Sequence, residues 1–381
     1  MRLEAEIRQQ AAALGFSSCG FAAAAPLGRG AFLEGWLDAG FAGEMHYLER
    51  RAERRLSVAG MLRHARTVIT LAYPYDPPLP APIDWRRELR GRIAAYALGE
   101  DYHRVLARKL AALEAFIATS SPHARTHSCI DTGAILEREW ALRAGLGWFG
   151  KNTMLLSTRA GSWFLLAELV TTLALTPDPP VAAHCGRCTR CGDMCPTGAL
   201  RDGLVMDARL CISYLTIEHR GAIPRALRPK LNSWIFGCDI CQEVCPWNGK
   251  VRTRTGTDES VPASWPDAPA TGLSPFLPAL LALDESGFRA HFAASPLVRA
   301  KRRGLLRNVA VALGNTANPA AVPALAGALG DPEPLVRGHV AWALGAIGDR
   351  EARRALERHR CREHDAFVVE ETAAALEAHA A

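Results

Sequence analysis

Long apolar runs are missing from this chain of 381 residues. No stretch approaches the roughly twenty consecutive apolar residues that a membrane-crossing helix needs, so no span is expected. The opening residues, Met1-Arg2-Leu3-Glu4-Ala5-Glu6, carry acids where an export signal carries only bases. Neither a secretory nor a twin-arginine leader is therefore expected. Lysine is scarce: with only five (Lys109, Lys151, Lys230, Lys250, Lys301), the formal charge of +6 rests on arginine. So small an excess permits a polyanionic partner without demanding one. Cysteine is the exception, with eleven in the chain. Eight of them cluster between 184 and 247, and clustered thiols without an export signal point to reduced, metal-holding cysteines in the cytoplasm.

The first half of that cluster reads Cys185-x-x-Cys188-x-x-Cys191-x-x-x-Cys195-Pro196, the run in which bacterial-type ferredoxins hold one cubane with three cysteines and give the fourth to the other. The second half, Cys238-x-x-Cys241-x-x-x-Cys245-Pro246, keeps the tail of the same motif, but Ile235 stands where a symmetric repeat would begin. Cys211 is the remaining candidate donor. Crossed ligation assigns Cys185, Cys188, Cys191 and Cys245 to one [4Fe-4S] cluster, and Cys195, Cys211, Cys238 and Cys241 to the second. Each iron needs one soft thiolate, and cysteines three apart wrap the corners of a cube. Structural zinc held by two C-x-x-C pairs is the competing reading; it leaves the third, evenly spaced cysteine unexplained.

Before the cluster, residues 1–176 read as an α/β domain. Ala11 to Ala25 suggests a first helix and strand, Gly35 to Arg54 a helix, and Thr67 to Tyr73 a strand ended by Pro74. Pro77 to Pro82 is a proline-rich loop, Arg92 to Tyr96 another strand and Tyr102 to Ala118 a helix. Ile130 to Arg143 opens on Asp131-Thr132-Gly133 and continues as a helix, and Trp163 to Leu175 is a buried strand pair or strand and turn. Residues 177–255 are the cluster domain, and 256–300 a linker with a short helical piece near Leu277 to Leu283. Residues 301–381 repeat themselves: Arg307-Asn-Val-Ala-Val-Ala-Leu313-Gly314 returns as Arg337-Gly-His-Val-Ala-Trp-Ala-Leu344-Gly345, with a degenerate third copy at Val368 to Leu376. This is a HEAT-like helical repeat of about thirty residues, a surface-making architecture that suggests a macromolecular partner.

Two motifs fail on context. Gly145-Leu-Gly147-Trp-Phe-Gly150-Lys151-Asn152 fits G-x-G-x-x-G and nearly fits a P-loop. Both need a strand before the glycines, yet a helix is expected there, and Asn152 replaces the magnesium-binding hydroxyl. The loop is read as glycines allowing close backbone approach. Asp101-Tyr-His103-Arg-Val-Leu106 starts like the D-x-H-x-x-G signature that gives a histidine to cobalt, but Leu106 replaces the glycine. His103 is read as a surface or capping residue.

Taken together, Tyr96-Ala-Leu-Gly-Glu-Asp-Tyr-His103, Asp131-Thr-Gly, Arg143-Ala-Gly-Leu-Gly-Trp-Phe-Gly-Lys-Asn-Thr153, Cys211-Ile-Ser-Tyr-Leu-Thr-Ile-Glu-His219 and Gly237-Cys-Asp-Ile-Cys-Gln-Glu-Val-Cys-Pro-Trp-Asn248 resemble the epoxyqueuosine reductases. The resemblance runs from Gly40 into the repeats. It implies a multidomain α+β chain: an N-terminal α/β cobalamin-binding domain like that of reductive dehalogenases, a ferredoxin-like domain with two [4Fe-4S] clusters, and HEAT-like repeats. Cobalamin would be bound base-off, without a protein histidine on cobalt. The reaction would convert epoxyqueuosine to queuosine at the wobble position of the tRNAs for Tyr, His, Asn and Asp. The partners would be the tRNA anticodon stem-loop and an electron donor such as a flavodoxin or ferredoxin, with no membrane and with the chain a monomer.

In that reading Asp131 is the proton donor and also a corrin contact, its pKa raised by burial against corrin and substrate; the plain alternative is an N-cap for a helix starting at Thr132. Arg54 or Arg55, Tyr96, Asn152, Thr153, Ser213 and Asp239 are the other candidate corrin contacts. A reductive-dehalogenase-like cobalamin enzyme and a non-catalytic electron-transfer protein are the competing functions.

Overall fold

The computed structural model describes residues 2–75, 83–201, 204–255 and 274–378. The proline-rich loop at 77–82 and the first part of the expected linker, 256–273, lie outside the described residues. The chain forms two compact units, each assembled from three stretches. One takes Met1–Pro77, Asp101–Arg209 and Asp239–Pro266, the other Pro78–Glu100, Leu210–Cys238 and Asp267–Ala381.

The first unit is built on a four-stranded sheet. Its strands are β1 (Ser18–Ala23), β2 (Thr67–Pro74), β3 (Thr126–Cys129) and β6 (Phe164–Thr171), in the order β1-β2-β6-β3. All neighbours are antiparallel. Strands β4 (Trp148–Phe149) and β5 (Leu155–Leu156) make a separate hairpin. The central strands are buried on both faces, which is why β2 and β6 read as nearly unbroken runs of Val, Ile, Leu and Thr rather than as an alternation. One face carries Ala22, Val68, Ala72 and Val170, which pack with Trp140 and Ala141. Residues of the opposite parity, Phe21, Ile69, Leu71 and Leu169, are buried on the other. Helices α1 (Arg2–Ala13) and α3 (Tyr102–Ser120) pack together and reach β1 and β6.

Several local expectations change. The helix expected over 35–54 is α2 (Gly30–Asp38) followed by turns and two short helical pieces, Glu49–Arg51 and Ala52–Arg55. Gly40, at φ 67°, ends the first helix in the left-handed region. The strand expected over 92–96 stops at Ile93 and turns into a 3₁₀ helix at Ala95–Ala97, because its parallel partner Trp234–Phe236 offers so short an edge. The segment 130–136 is a loop, and α4 spans only Glu137–Arg143. Asp131 therefore does not cap a helix at Thr132. The apolar segment after Trp163 is a single strand at the centre of the sheet. The glycine loop makes the close approaches expected of it: a Cβ on Gly147 would lie 2.0 Å from the Leu156 carbonyl oxygen, across the β4–β5 hairpin. A helix does precede it, and no phosphate-binding helix follows.

In the second unit, α5 (Ile212–Ile217), α6 (Leu277–Leu281) and α7 (Glu285–Phe292) precede α8 (Lys301–Thr316), α9 (Val322–Ala328), α10 (Pro334–Ile347), α11 (Arg350–Arg360) and α12 (Ala366–Ala378). Helices α8, α10 and α12 stack in succession as repeats do. From Leu277 on, the stretch expected as a linker is packed: Leu277, Leu280, Leu281, Phe288 and Phe292 are buried in the same core as the repeat residues Leu313 and Leu344.

Buried charge pins this unit together. Arg307, fully buried, donates to the carbonyls of Leu215 (2.6 Å), Gly221 (2.7 Å) and His219 (2.9 Å). Arg228 makes a two-pronged pair with Glu371 at 2.7 Å on both arms. Removing one partner leaves an uncompensated buried ion. Glu371→Ala should therefore cost about 3–5 kcal/mol in denaturant unfolding, while Arg228→Met with Glu371→Leu should recover most of it.

Candidate functional site

Asp131 sits just past the end of β3, at φ 44°, a left-handed conformation that aspartate tolerates better than most residues. Two contacts hold its loop. The Asp131 N–H donates to Glu137 Oε1 at the start of α4 (2.5 Å), and Arg55 Nη1 donates to the Gly133 carbonyl (3.2 Å). Arg55 itself is buried and also reaches the Tyr47 carbonyl, whereas Arg54 beside it is exposed.

The Asp131 carboxyl meets two side chains from the first turn of α3. Tyr102 donates its hydroxyl hydrogen to Oδ2 (2.9 Å), and His103 Nε2 lies 3.2 Å from the same oxygen. The two rings stack with centroids 4.1 Å apart. The other ring nitrogen of His103 meets Asp101 Oδ1 at 2.8 Å, and Asp101 also caps α3 by accepting the His103 N–H. His103 is thus neither a cap nor a plain surface residue; Asp101 is the cap. With a carboxylate on each nitrogen, both can be donors only in the imidazolium. The hydrogen bonds to Asp101 and then Asp131 accordingly raise its pKa to about 9. The stability this adds is complete below about pH 6.5, the ordinary histidine value, and is lost as pH rises through about 9. In His103→Gln, the fall in melting temperature between those two values should be smaller than in the parent chain. The Asp131 side chain keeps 43% of its surface exposed, so the burial expected of it is not supplied by this chain's own residues.

The cysteine loops lie farther along the same unit. Cys185, Cys188, Cys191 and Cys245 line one cavity of about 210 Å³, together with Lys151, Asn152 and Trp247. Burial, and after it the neighbouring thiols of Cys185 and Cys188, raise the pKa of both Cys191 and Cys245. A cavity lined by four thiols suits a soft iron cluster, which takes them as thiolates. The short helices Arg190–Asp193 and Ile240–Glu243, which carry Cys191 and Cys241, pack on one another. A buried knot fixes the second loop: Asn248 accepts from the Ser162 N–H (2.7 Å) and donates to the Gln242 carbonyl (2.8 Å). His184 and Trp247 line the cavity, and Trp148 packs edge-on against both.

Of the other four cysteines, Cys195 and Cys241 belong to this unit, and Cys211 and Cys238 to the second. Burial works against ionising Cys195. Hydrogen bonds from the Thr197 hydroxyl and from the Ala199, Leu200 and Thr197 N–H groups nevertheless hold its thiol below the usual value, a setting made for a charged sulfur.

The remaining candidates are dispersed. Asn152 is buried and donates to the Cys241 carbonyl (3.3 Å), so its contacts run to the cysteine loop rather than to Asp131. Thr153 has φ 62°, and its carbonyl accepts from Arg138. Asp239 is buried and accepts from Gln242 (3.1 Å) just before the helix Ile240–Glu243. Tyr96 and Ser213 belong to the second unit, Tyr96 tilted against Phe236 and Ser213 on α5. Sequence reasoning missed Tyr102, Glu137 and the partners of His103. The adjacency Asp-Tyr-His was visible, but nothing local says that Asp131 meets it.

Models of known families match three stretches: epoxyqueuosine reductase QueG, DUF1730, at residues 55–132, a 4Fe-4S double cluster binding domain at 184–248, and HEAT repeats at 296–377. The epoxyqueuosine reductase of Alicycliphilus denitrificans is 40% identical over 363 residues, covering 90% of this chain and 98% of its own. A crystal structure of epoxyqueuosine reductase with an epoxyqueuosine-modified tRNA-Tyr stem loop superposes with a TM-score of 0.91 at 33% identity, over 100% of this chain and 99% of that one. The Bacillus subtilis epoxyqueuosine reductase, in a structure with the catalytic loop of an aspartate swung out of the active site, has a TM-score of 0.88 at 32% identity over 99% of both chains. Residues 184–248 are thus an iron–sulfur domain, the helical tail is a HEAT array, and the chain belongs to the epoxyqueuosine reductase family of oxidoreductases.

Proposed function

We propose that this chain reduces epoxyqueuosine to queuosine at the wobble position of the tRNAs for Tyr, His, Asn and Asp, with Asp131 as the proton donor. The observation that carries the reading is the Asp131 carboxyl held between Tyr102 and His103 on a face open to solvent. Reductive opening of an epoxide consumes two electrons and two protons and releases the oxygen as water. Bound cobalamin would supply a strongly reducing, nucleophilic cobalt, and two [4Fe-4S] clusters would supply single electrons drawn from a donor such as a flavodoxin or ferredoxin.

The chain's own residues handle the protons. Asp131 presents a carboxyl to the epoxide oxygen, Tyr102 orients it, and His103 holds a proton on Nε2 that can replace the one Asp131 gives away. Both nitrogens of His103 are occupied by carboxylates, so it has none to offer cobalt. That fits cobalamin held base-off without a protein ligand. Arg54, Arg55, Tyr96, Asn152, Thr153, Ser213 and Asp239 remain the proposed corrin contacts. The loop 130–136 is the one we expect to move as the aspartate loop of the Bacillus subtilis relative does.

The RNA would meet arginines. Helix α11 holds five in eleven residues, and Arg350, Arg354, Arg358 and Arg360 are exposed. Replacing Arg354, Arg358 and Arg360 by Ala should weaken stem-loop binding and reduce the slope of log K against log salt by about one per lost phosphate contact. In this reading the chain works on tRNA in the cytoplasm, as a monomer. No described helix is long and apolar enough to cross a membrane.

The test is anaerobic turnover: chain, cobalamin, reductant and epoxyqueuosine-containing tRNA, with nucleosides followed by mass. Queuosine is expected only when cobalamin is present. Bound cobalamin without queuosine would favour a dehalogenase-like enzyme, and no bound cobalamin a simple electron carrier.

A further inference from the structure

Behind the Asp131 loop lie two carboxyls that the proposed reaction does not use. Glu168 sits within β6, opposite Cys129 of β3 and Thr70 of β2, and is completely buried. Neither of its oxygens meets an N–H or hydroxyl donor among the described residues, and its pKa is raised well above the ordinary value by burial and then by the Glu137 carboxyl, through charge and a side-chain hydrogen bond. Glu137 in turn accepts the N–H of Asp131. The other titratable and charged groups facing the pair are Asp131 and His103, Arg138 beside Glu137 with Arg29 beyond it, and the Cys129 thiol. Burial, followed by the carboxyls of Glu168 and Glu137, pushes Cys129 up to about 12, so it stays a neutral thiol.

Glu168 is completely dry while Glu137 is half-buried, and an ionised Glu168 beside an ionised Glu137 would have nothing to offset it, so the two do not both ionise. The proton belongs on Glu168, which has no cation or N–H within reach. The charge belongs on Glu137, which has both. We propose that Glu137 and Glu168 share one proton, and that the charge left on Glu137 latches the Asp131 N–H and holds the Asp131 carboxyl against Tyr102 and His103. Glu137 is a positioning residue: it acts on Asp131 through the backbone and touches no reacting atom. Burial and the Asp131 carboxylate push the Glu137 carboxyl up to about 7, so the latch tightens as pH rises through neutrality. The effect on turnover rests on the reading of Asp131 as proton donor; the effect on the loop does not.

The experiment separates the two. Amide hydrogen exchange of residues 130–136 is followed by mass spectrometry on the holoenzyme without RNA, from pH 6 to 8 and corrected for intrinsic rates, beside kcat and KM at each pH. Glu137→Ala should speed exchange of the loop by about tenfold or more and lower kcat with KM for the tRNA unchanged. Glu137→Gln keeps an acceptor without charge, so the pH dependence of loop exchange should disappear. Glu168→Gln can donate an N–H to the Glu137 carboxylate, and should move the midpoint of that dependence down by about one unit or more. Melting temperatures check that each variant folds. Loop exchange unchanged in Glu137→Ala, or a midpoint unmoved in Glu168→Gln, overturns the latch. A loosened loop with unchanged kcat keeps the latch and removes Asp131 from the reaction instead.

Discussion

Replacing Asp131 by asparagine is expected to lower turnover by about 10²–10⁴-fold, the usual worth of a positioned proton donor, while cobalamin still binds. Asparagine keeps the size of the side chain, and its carbonyl still accepts the Tyr102 hydroxyl hydrogen now found 2.9 Å away. What is lost is the acidic proton, together with the negative charge that faces His103 and Glu137. The loop itself hangs on backbone contacts, the Asp131 N–H to Glu137 and the Gly133 carbonyl to Arg55, which the substitution leaves in place. A corrin spectrum equal to the parent's with queuosine formation abolished is the expected pair of results. Loss of bound corrin together with turnover would instead make Asp131 a binding residue, and unchanged turnover would remove it from the chemistry. His103→Gln should be milder, because the first proton can still leave from Asp131. Its signature is a turnover that no longer changes as pH rises through about 9, where His103 in the folded chain gives up its charge.

The second large effect concerns iron. If the crossed assignment of two clusters holds, Cys245→Ser should lower the metal content from about eight to about four irons per chain, since it removes one thiolate from one of the two cubes, and leave the other cluster's spectrum in place. Cys245 stands in the second cysteine run, yet it lines the same cavity as Cys185, Cys188 and Cys191 of the first. A linear pairing, in which each run holds its own metal, predicts the opposite: damage confined to the partners Cys238 and Cys241. Cys185→Ser and Cys245→Ser should therefore give the same residual spectrum, and Cys238→Ser a different one. Cys361, exposed at the end of α11, is the control that should change nothing. If Cys185→Ser and Cys245→Ser leave different clusters behind, the crossed assignment fails.

Much of this was legible in order along the chain because the chemistry is local there. Spacing of three wraps a thiol loop around a cube whatever the rest of the protein does, so the cysteine runs stand out without any tertiary knowledge. Helical repeats are legible for a related reason: each copy meets only its neighbours, and the pattern Val-Ala-x-Ala-Leu-Gly returns at the period of the stack. The strand Thr67–Pro74 and the helix Tyr102–Ser120 announce themselves by apolar periodicity. Reading failed where backbone conformation depends on distant partners. Residues 130–136 have a helix-compatible composition, yet Asp131 takes a left-handed φ because Glu137 and Arg55 hold the loop from outside. The stretch after Leu277 looked like a linker because Ser and Pro break its apolar residues into no clear period, and only the core they enter makes them structural.

The sequence by itself determined which elements could exist and which metals the thiols prefer, since both depend on neighbours a few residues apart. The tertiary structure decided which carboxyls would share a proton and which ring would hold one. Asp131 meets His103 across 28 residues and Glu168 lies opposite Cys129 across a sheet, so their charges depend on contacts that folding alone creates. Ionisation answers to burial and to the nearest charge, and neither is a property of a residue's place along the chain.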